Sequence, residues 1–134
     1  MKRSSSPAPN SRAQGRDRGS AAVEFALVAP ILLSLVVGIV EFSYTYNLQI
    51  SVTQAAREAA RTMAIKNNQA DAKAAAVAGA PGLSPAGFSY AFSPAACANG
   101  STARVNVTYT TNTLTSFFGS TVTLHGTGAM RCNG

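Results

Sequence analysis

The sequence predicts an α+β protein. A long N-terminal helix spans a membrane, continues outside the bilayer, and packs against a short helix and a small antiparallel sheet. Three observations predict this. Ala21 to Val40 is a run of twenty residues whose only ionisable group is Glu24, which matches the ~20 residues that cross a ~30 Å hydrocarbon core. Tyr44, Leu48, Val52, Ala55, Ala59 and Met63 then recur at spacings of three and four, one face of a helix. Beyond residue 85 the period changes to two.

The elements follow in order. Residues 1–19 form a basic leader, and its first fifteen, rich in Ser and Pro, carry too little apolar surface to fold and are expected to be disordered. Residues 20–41 are read as the transmembrane helix and residues 42–66 as its extracytoplasmic continuation. Pro30 removes the bond to the Ala26 carbonyl and is expected to kink the membrane half. Ser34 and Gly38, small and four apart, offer a close-packing face, although both residue types are common in membrane helices. Glu58 and Arg61 are placed to pair on the wet face.

Residues 67–134 are read as a small α+β outer domain. Asn68 caps a helix at about Gln69–Ala78, Asp71 lies in its first turn, and Gly79 with Pro81 ends it. Phe88–Phe92, Val105–Tyr109 and Val122–Leu124 alternate as strands, and Gly82, Gly87, Gly100, Gly119, Gly126 and Gly128 read as their punctuation. The apolar face of this sheet is expected on the Tyr44–Met63 stripe. Phe88, Tyr90, Phe117 and Phe118 are expected under it rather than in an exposed patch.

Charge sets the orientation. Residues 1–19 hold five basic residues (Lys2, Arg3, Arg12, Arg16, Arg18) against Asp17, whereas residues 20–134 hold six bases and four acids. A basic tail against an apolar segment is accounted for by the positive-inside rule rather than by nucleic-acid binding. A cleaved secretory signal fits poorly, because the apolar run is long and no small-x-small site follows it. Cys97 and Cys132 fall in the part placed outside, where a disulfide survives. Such a bridge contributes roughly 3–4 kcal/mol in the chain-entropy model, and two free thiols are the alternative. With one His and no Cys-x-x-Cys, a metal site is not expected, nor is a cofactor.

Glu24 asks for a reason, since a carboxylate within a membrane helix costs roughly 2.5–3.5 kcal/mol even on lenient insertion scales. Its place suggests one. Gly19 is followed by Ser20-Ala21-Ala22-Val23, then Glu24-Phe25, then Ala26-Leu27-Val28-Ala29-Pro30-Ile31-Leu32-Leu33, with Gln54-Ala55-Ala56-Arg57-Glu58-Ala59-Ala60-Arg61 further on. This layout resembles the type IVb prepilins, most closely the TadE-like pseudopilins of the tight-adherence (Tad) pilus system. It does so well over about residues 15–63 and only in general plan beyond.

The resemblance implies cleavage between Gly19 and Ser20 by a prepilin peptidase in the bacterial inner membrane, with the N-terminus cytoplasmic and the C-terminal domain outside. Glu24 would neutralise the new terminal ammonium of a neighbouring subunit, and Phe25 would seat the peptidase or pack between helices. Other pilins and pseudopilins, the inner-membrane pilus assembly platform and membrane lipid are the implied partners. The outer domain exceeds what a major Tad-type pilin carries, which favours a minor subunit acting in assembly or adhesion.

Against this stand plainer readings: Glu24 snorkels to the headgroups, and Gly19 is a flexible joint. No catalytic set is found. His125 reads as a solvated strand residue, and the acids Glu41, Glu58 and Asp71 are scattered. The alternative to a processed pseudopilin is an uncleaved, single-pass membrane-anchored extracytoplasmic binding protein.

Overall fold

The computed structural model describes residues 14–133, with side chains from Arg18 onward. Of the fifteen residues expected to be disordered, 1–13, with Lys2, Arg3 and Arg12, lie outside the described residues, whereas Gln14 and Gly15 are helical and correct that expectation. Two helices precede three strands: α1 (Gln14–Lys66), α2 (Gln69–Ala78), a 3-10 turn at Pro85–Gly87, β1 (Phe88–Ser93), β2 (Thr102–Asn112) and β3 (Thr121–Arg131). The α+β class read from the sequence holds. Contacts divide the chain into two compact units at the Gly38–Ile39 junction.

In the first unit α1 begins at Gln14, six residues before the expected start at Ser20. Gln14 and Arg16 are good helix formers, and Asp17 favours a helix N-terminus. The helix is assigned without a break through Pro30. Ser34 Oγ donates to the Ile31 carbonyl at 2.8 Å, which satisfies its hydroxyl within the helix itself.

The second unit, from Ile39 onward, is built on the C-terminal part of α1. Leu48, Val52, Ala55, Ala59 and Met63 are buried and Tyr44 packs against them, so the stripe read from the sequence is the packed face. It is wider than that reading, because Ala56, Ala60 and Ala64 are buried too. In α2, Asn68 Oδ1 accepts from the Ala70 and Asp71 amides, capping the helix as its sequence predicts. Ala72 and Ala76 are its buried residues.

The sheet is antiparallel in the order β1-β2-β3. Alternation decides its faces: Ala103, Val105, Val107 and Tyr109 of β2 are buried, and the residues between them face out. Phe88, Tyr90 and Phe92 of β1 stand opposite Tyr109, Val107 and Val105 and are half-buried against the same core.

Two expectations are corrected here. Gly126 and Gly128 do not punctuate a strand; they lie inside β3, which is 11 residues long, opposite Val107 and Val105. Their role is close approach. A Cβ at Gly126 would lie 2.6 Å from the Val52 carbonyl oxygen, and one at Gly128 would collide with the Ala56 carbonyl oxygen. The strand therefore rests on the backbone of α1, its two glycines against the carbonyls of Val52 and Ala56. The second correction concerns Phe117 and Phe118, which are 63% and 66% exposed in the β2–β3 loop rather than under the sheet.

Candidate functional site

The sequence points to the head of α1. Gly19 and Ser20 are exposed there, and a Cβ on Gly19 would meet no atom within 4 Å. Glu24 is exposed one turn beyond Ser20, and helical spacing puts it on the face of Leu27 and Val28. Phe25 is 73% exposed and Pro30 is exposed as well. Among the residues whose side chains are described, the first unit thus presents one carboxylate, Glu24, among unburied apolar side chains. Among the described residues α1 is long and apolar enough to cross a membrane, and its most apolar window is not buried by the protein. So much exposed apolar surface requires a lipid or protein covering.

The second unit holds two tethers. Cys97 and Cys132 form a disulfide with their Cα atoms 5.8 Å apart, joining the β1–β2 connection to the residue after β3. Asn67, at φ 50°, supports that connection after the end of α1. Its Oδ1 accepts from the Cys97 amide at 2.6 Å, and its Nδ2 donates to the Cys97 carbonyl at 3.2 Å.

The other tether is Glu41, which sequence reading left among scattered acids. It is 4% exposed. Its Oε1 accepts from the Leu114 amide at 2.9 Å, and its Oε2 accepts from the Thr115 amide at 3.1 Å and from Thr115 Oγ1 at 2.9 Å. Three donors thus meet one carboxylate, which is how a buried charge is made tolerable. Thr115 Oγ1 in turn accepts from the Phe117 amide at 3.4 Å, and the loop closes through the Thr113 amide on the Ser120 carbonyl at 3.2 Å. The signal in the sequence was only that Glu41 ends the apolar run. Nothing local links it to a loop more than seventy residues away.

The remaining polar groups are ordinary. His125 is exposed on β3 with Nδ1 3.2 Å from Thr108 Oγ1, its cross-strand neighbour. The expected Glu58–Arg61 pair does not form: Glu58 Oε1 accepts from Gln54 Nε2 at 3.3 Å, and the one ion pair among the described residues is Lys66–Asp71 at 3.3 Å. Burial pushes the Tyr90 phenol above its usual value of 10.0, and the Lys73 ammonium lies 5.9 Å from its ring centroid. Among the described residues no group of three His, Cys, Asp or Glu side chains could hold a metal ion.

Comparison with known proteins agrees with the motif. The family described as TadE-like protein matches residues 19–61, from the Gly preceding the apolar run to the second Arg of Gln54–Arg61. The TadE-like resemblance therefore holds over this segment, while α2 and the sheet lie beyond it. Neither a search of curated proteins nor one of solved structures returned a match. The family and the unburied apolar helix together indicate a membrane-anchored protein associated with the Tad pilus system.

Proposed function

We propose that the chain is a minor pseudopilin of a Tad-type pilus, processed after Gly19 and acting in pilus assembly or adhesion through helix–helix packing rather than catalysis. The observation that carries the reading is the family match, which opens on Gly19 and takes in Glu24 and Phe25 at the head of an unburied apolar helix. In this reading the basic leader stays in the cytoplasm, the outer domain lies beyond the inner membrane, and a prepilin peptidase cuts between Gly19 and Ser20. Gly19 lies within α1, so the peptidase must open the first turns to reach the bond. Gly weakens a helix by about 1 kcal/mol relative to Ala, and no packing contact at Gly19 resists the opening.

Once Ser20 is the N-terminus, its ammonium is a charge at the edge of a lipid or protein interior. Glu24 of a neighbouring subunit supplies the counter-charge, and a charge-assisted pair in a dry helical bundle fixes register between subunits. The inner-membrane assembly platform and the other pilins and pseudopilins are the partners of that step.

Maturation and piliation assays on Gly19 and Glu24 variants test this. Gly19→Ala should largely mature, whereas Gly19→Asp and Gly19→Leu should not. Glu24→Val should insert and mature but fail to assemble. Equal processing of all three Gly19 variants, or full piliation with Glu24→Val, would contradict the reading. Tolerance of every change would instead favour an uncleaved, membrane-anchored binding protein.

A further inference from the structure

We propose that the β2–β3 loop, residues 113–120, is a membrane-contact element: Leu114, Phe117 and Phe118 enter the headgroup–acyl boundary of the leaflet from which α1 emerges. The inference rests on the membrane-anchored reading and goes beyond it by assigning the exposed apolar surface of the outer domain to lipid.

Four observations carry it. The loop shows three large apolar side chains to solvent, Leu114 at 54%, Phe117 at 63% and Phe118 at 66%. The two rings sit edge to face with centroids 5.0 Å apart, a preformed wedge. Thr113 to Ser120 contains no ionisable residue, so entering the interface desolvates no charge.

The fourth observation sets the height of the loop. Glu41 holds the Leu114 and Thr115 amides, and Glu41 directly follows Val40, the last residue of the apolar run. A run of 20 residues at about 1.5 Å each is used up in crossing ~30 Å of hydrocarbon. Glu41 therefore marks the water-facing boundary, and it pins the loop at that level. Phe42 and Tyr46, exposed on α1 just beyond it, belong to the same zone, where aromatic side chains are favoured. Burying Glu41 under the loop also removes from the boundary a carboxylate that would otherwise face anionic headgroups.

The chain contains no Trp, so single-Trp variants report position directly. Full-length Phe117→Trp, Phe118→Trp, Leu33→Trp and Ile65→Trp would each be reconstituted in phosphatidylcholine–phosphatidylglycerol vesicles, with and without acyl-brominated phosphatidylcholine. Ile65 is exposed and about 37 Å along the helix from Val40, well clear of lipid. The proposal expects blue-shifted emission and bromolipid quenching at 117 and 118, strong quenching at 33, and neither effect at 65.

Quenching at 33 with solvent-like emission at 117 and 118 would overturn the loop assignment and leave the anchor intact. A blue shift at 117 and 118 that ignores bromine and fades as protein is diluted in lipid would overturn it in favour of a second copy of the chain. Absence of quenching at 33 would overturn the membrane reading itself, and the loop assignment with it.

Discussion

At the scale of residues, two glutamates sit at the two ends of one apolar run and do different work. Glu24 is exposed, with Leu27 and Val28 on its face one turn further on, and in the proposed reading its partner comes from another chain. Glu41 is buried and satisfied within its own domain by two amides and a hydroxyl. Removing it would strand those donors, each worth about 1–3 kcal/mol when a charged acceptor is lost. Glu41→Ala should therefore lower the stability of the C-terminal domain by about 3 kcal/mol or more and speed hydrogen exchange at the Leu114 and Thr115 amides before other loops. Unchanged exchange there would show that the carboxylate does not hold the loop. The sequence revealed Glu24, because a charge inside a hydrophobic segment is visible in one dimension. It concealed Glu41, because a charge after such a segment looks like an ordinary headgroup neighbour until the chain folds back on it.

At the scale of elements, the join between α1 and β3 depends on the absence of side chains. Val105 and Val107 fill the sheet face opposite Gly128 and Gly126, so the volume missing from β3 is taken up by the helix backbone itself. Gly128→Ala should cost about 3 kcal/mol, at the upper end for overpacking, because the obstacle is the backbone of Ala56 rather than a movable side chain. Thermal unfolding of the detergent-solubilised protein would measure it, with Thr121→Ala, exposed on the same strand, as a milder comparison; a loss no larger at 128 than at 121 would contradict the packing.

The disulfide works at the same scale. Cys97→Ser with Cys132→Ser should lower outer-domain stability by about 3 kcal/mol, chiefly by freeing a loop of 35 residues' separation in the unfolded chain. Equal melting of reduced and oxidised protein would contradict that. The helices were legible, since period 3.6, an Asn cap and a terminal Gly are local signals. The strand centres were legible too, but Gly126 and Gly128 read as punctuation rather than as part of β3. Glycine marks turns and close packing alike, and only the position of α1 tells which one applies.

At the scale of the whole molecule, the chain combines an apolar helix that the TadE-like family model matches over residues 19–61 with a C-terminal α+β domain that has its own core. The family match stops at Arg61, still within α1, so the domain beyond it has to be understood from its own packing. The membrane segment could be recognised from sequence because its constraints are linear: charge, length, a Gly five residues before a Glu. Whatever the outer domain touches depends on which apolar side chains the fold leaves outside, as Phe117 and Phe118 illustrate.

The central claim is that this chain is a substrate for prepilin processing. The most direct measurement is the intact mass, or N-terminal sequence, of membrane-fraction protein produced with and without a prepilin peptidase. The account predicts a chain beginning at Ser20 only when the peptidase is present. A chain that retains Gly19 and the basic leader in both cases would contradict it.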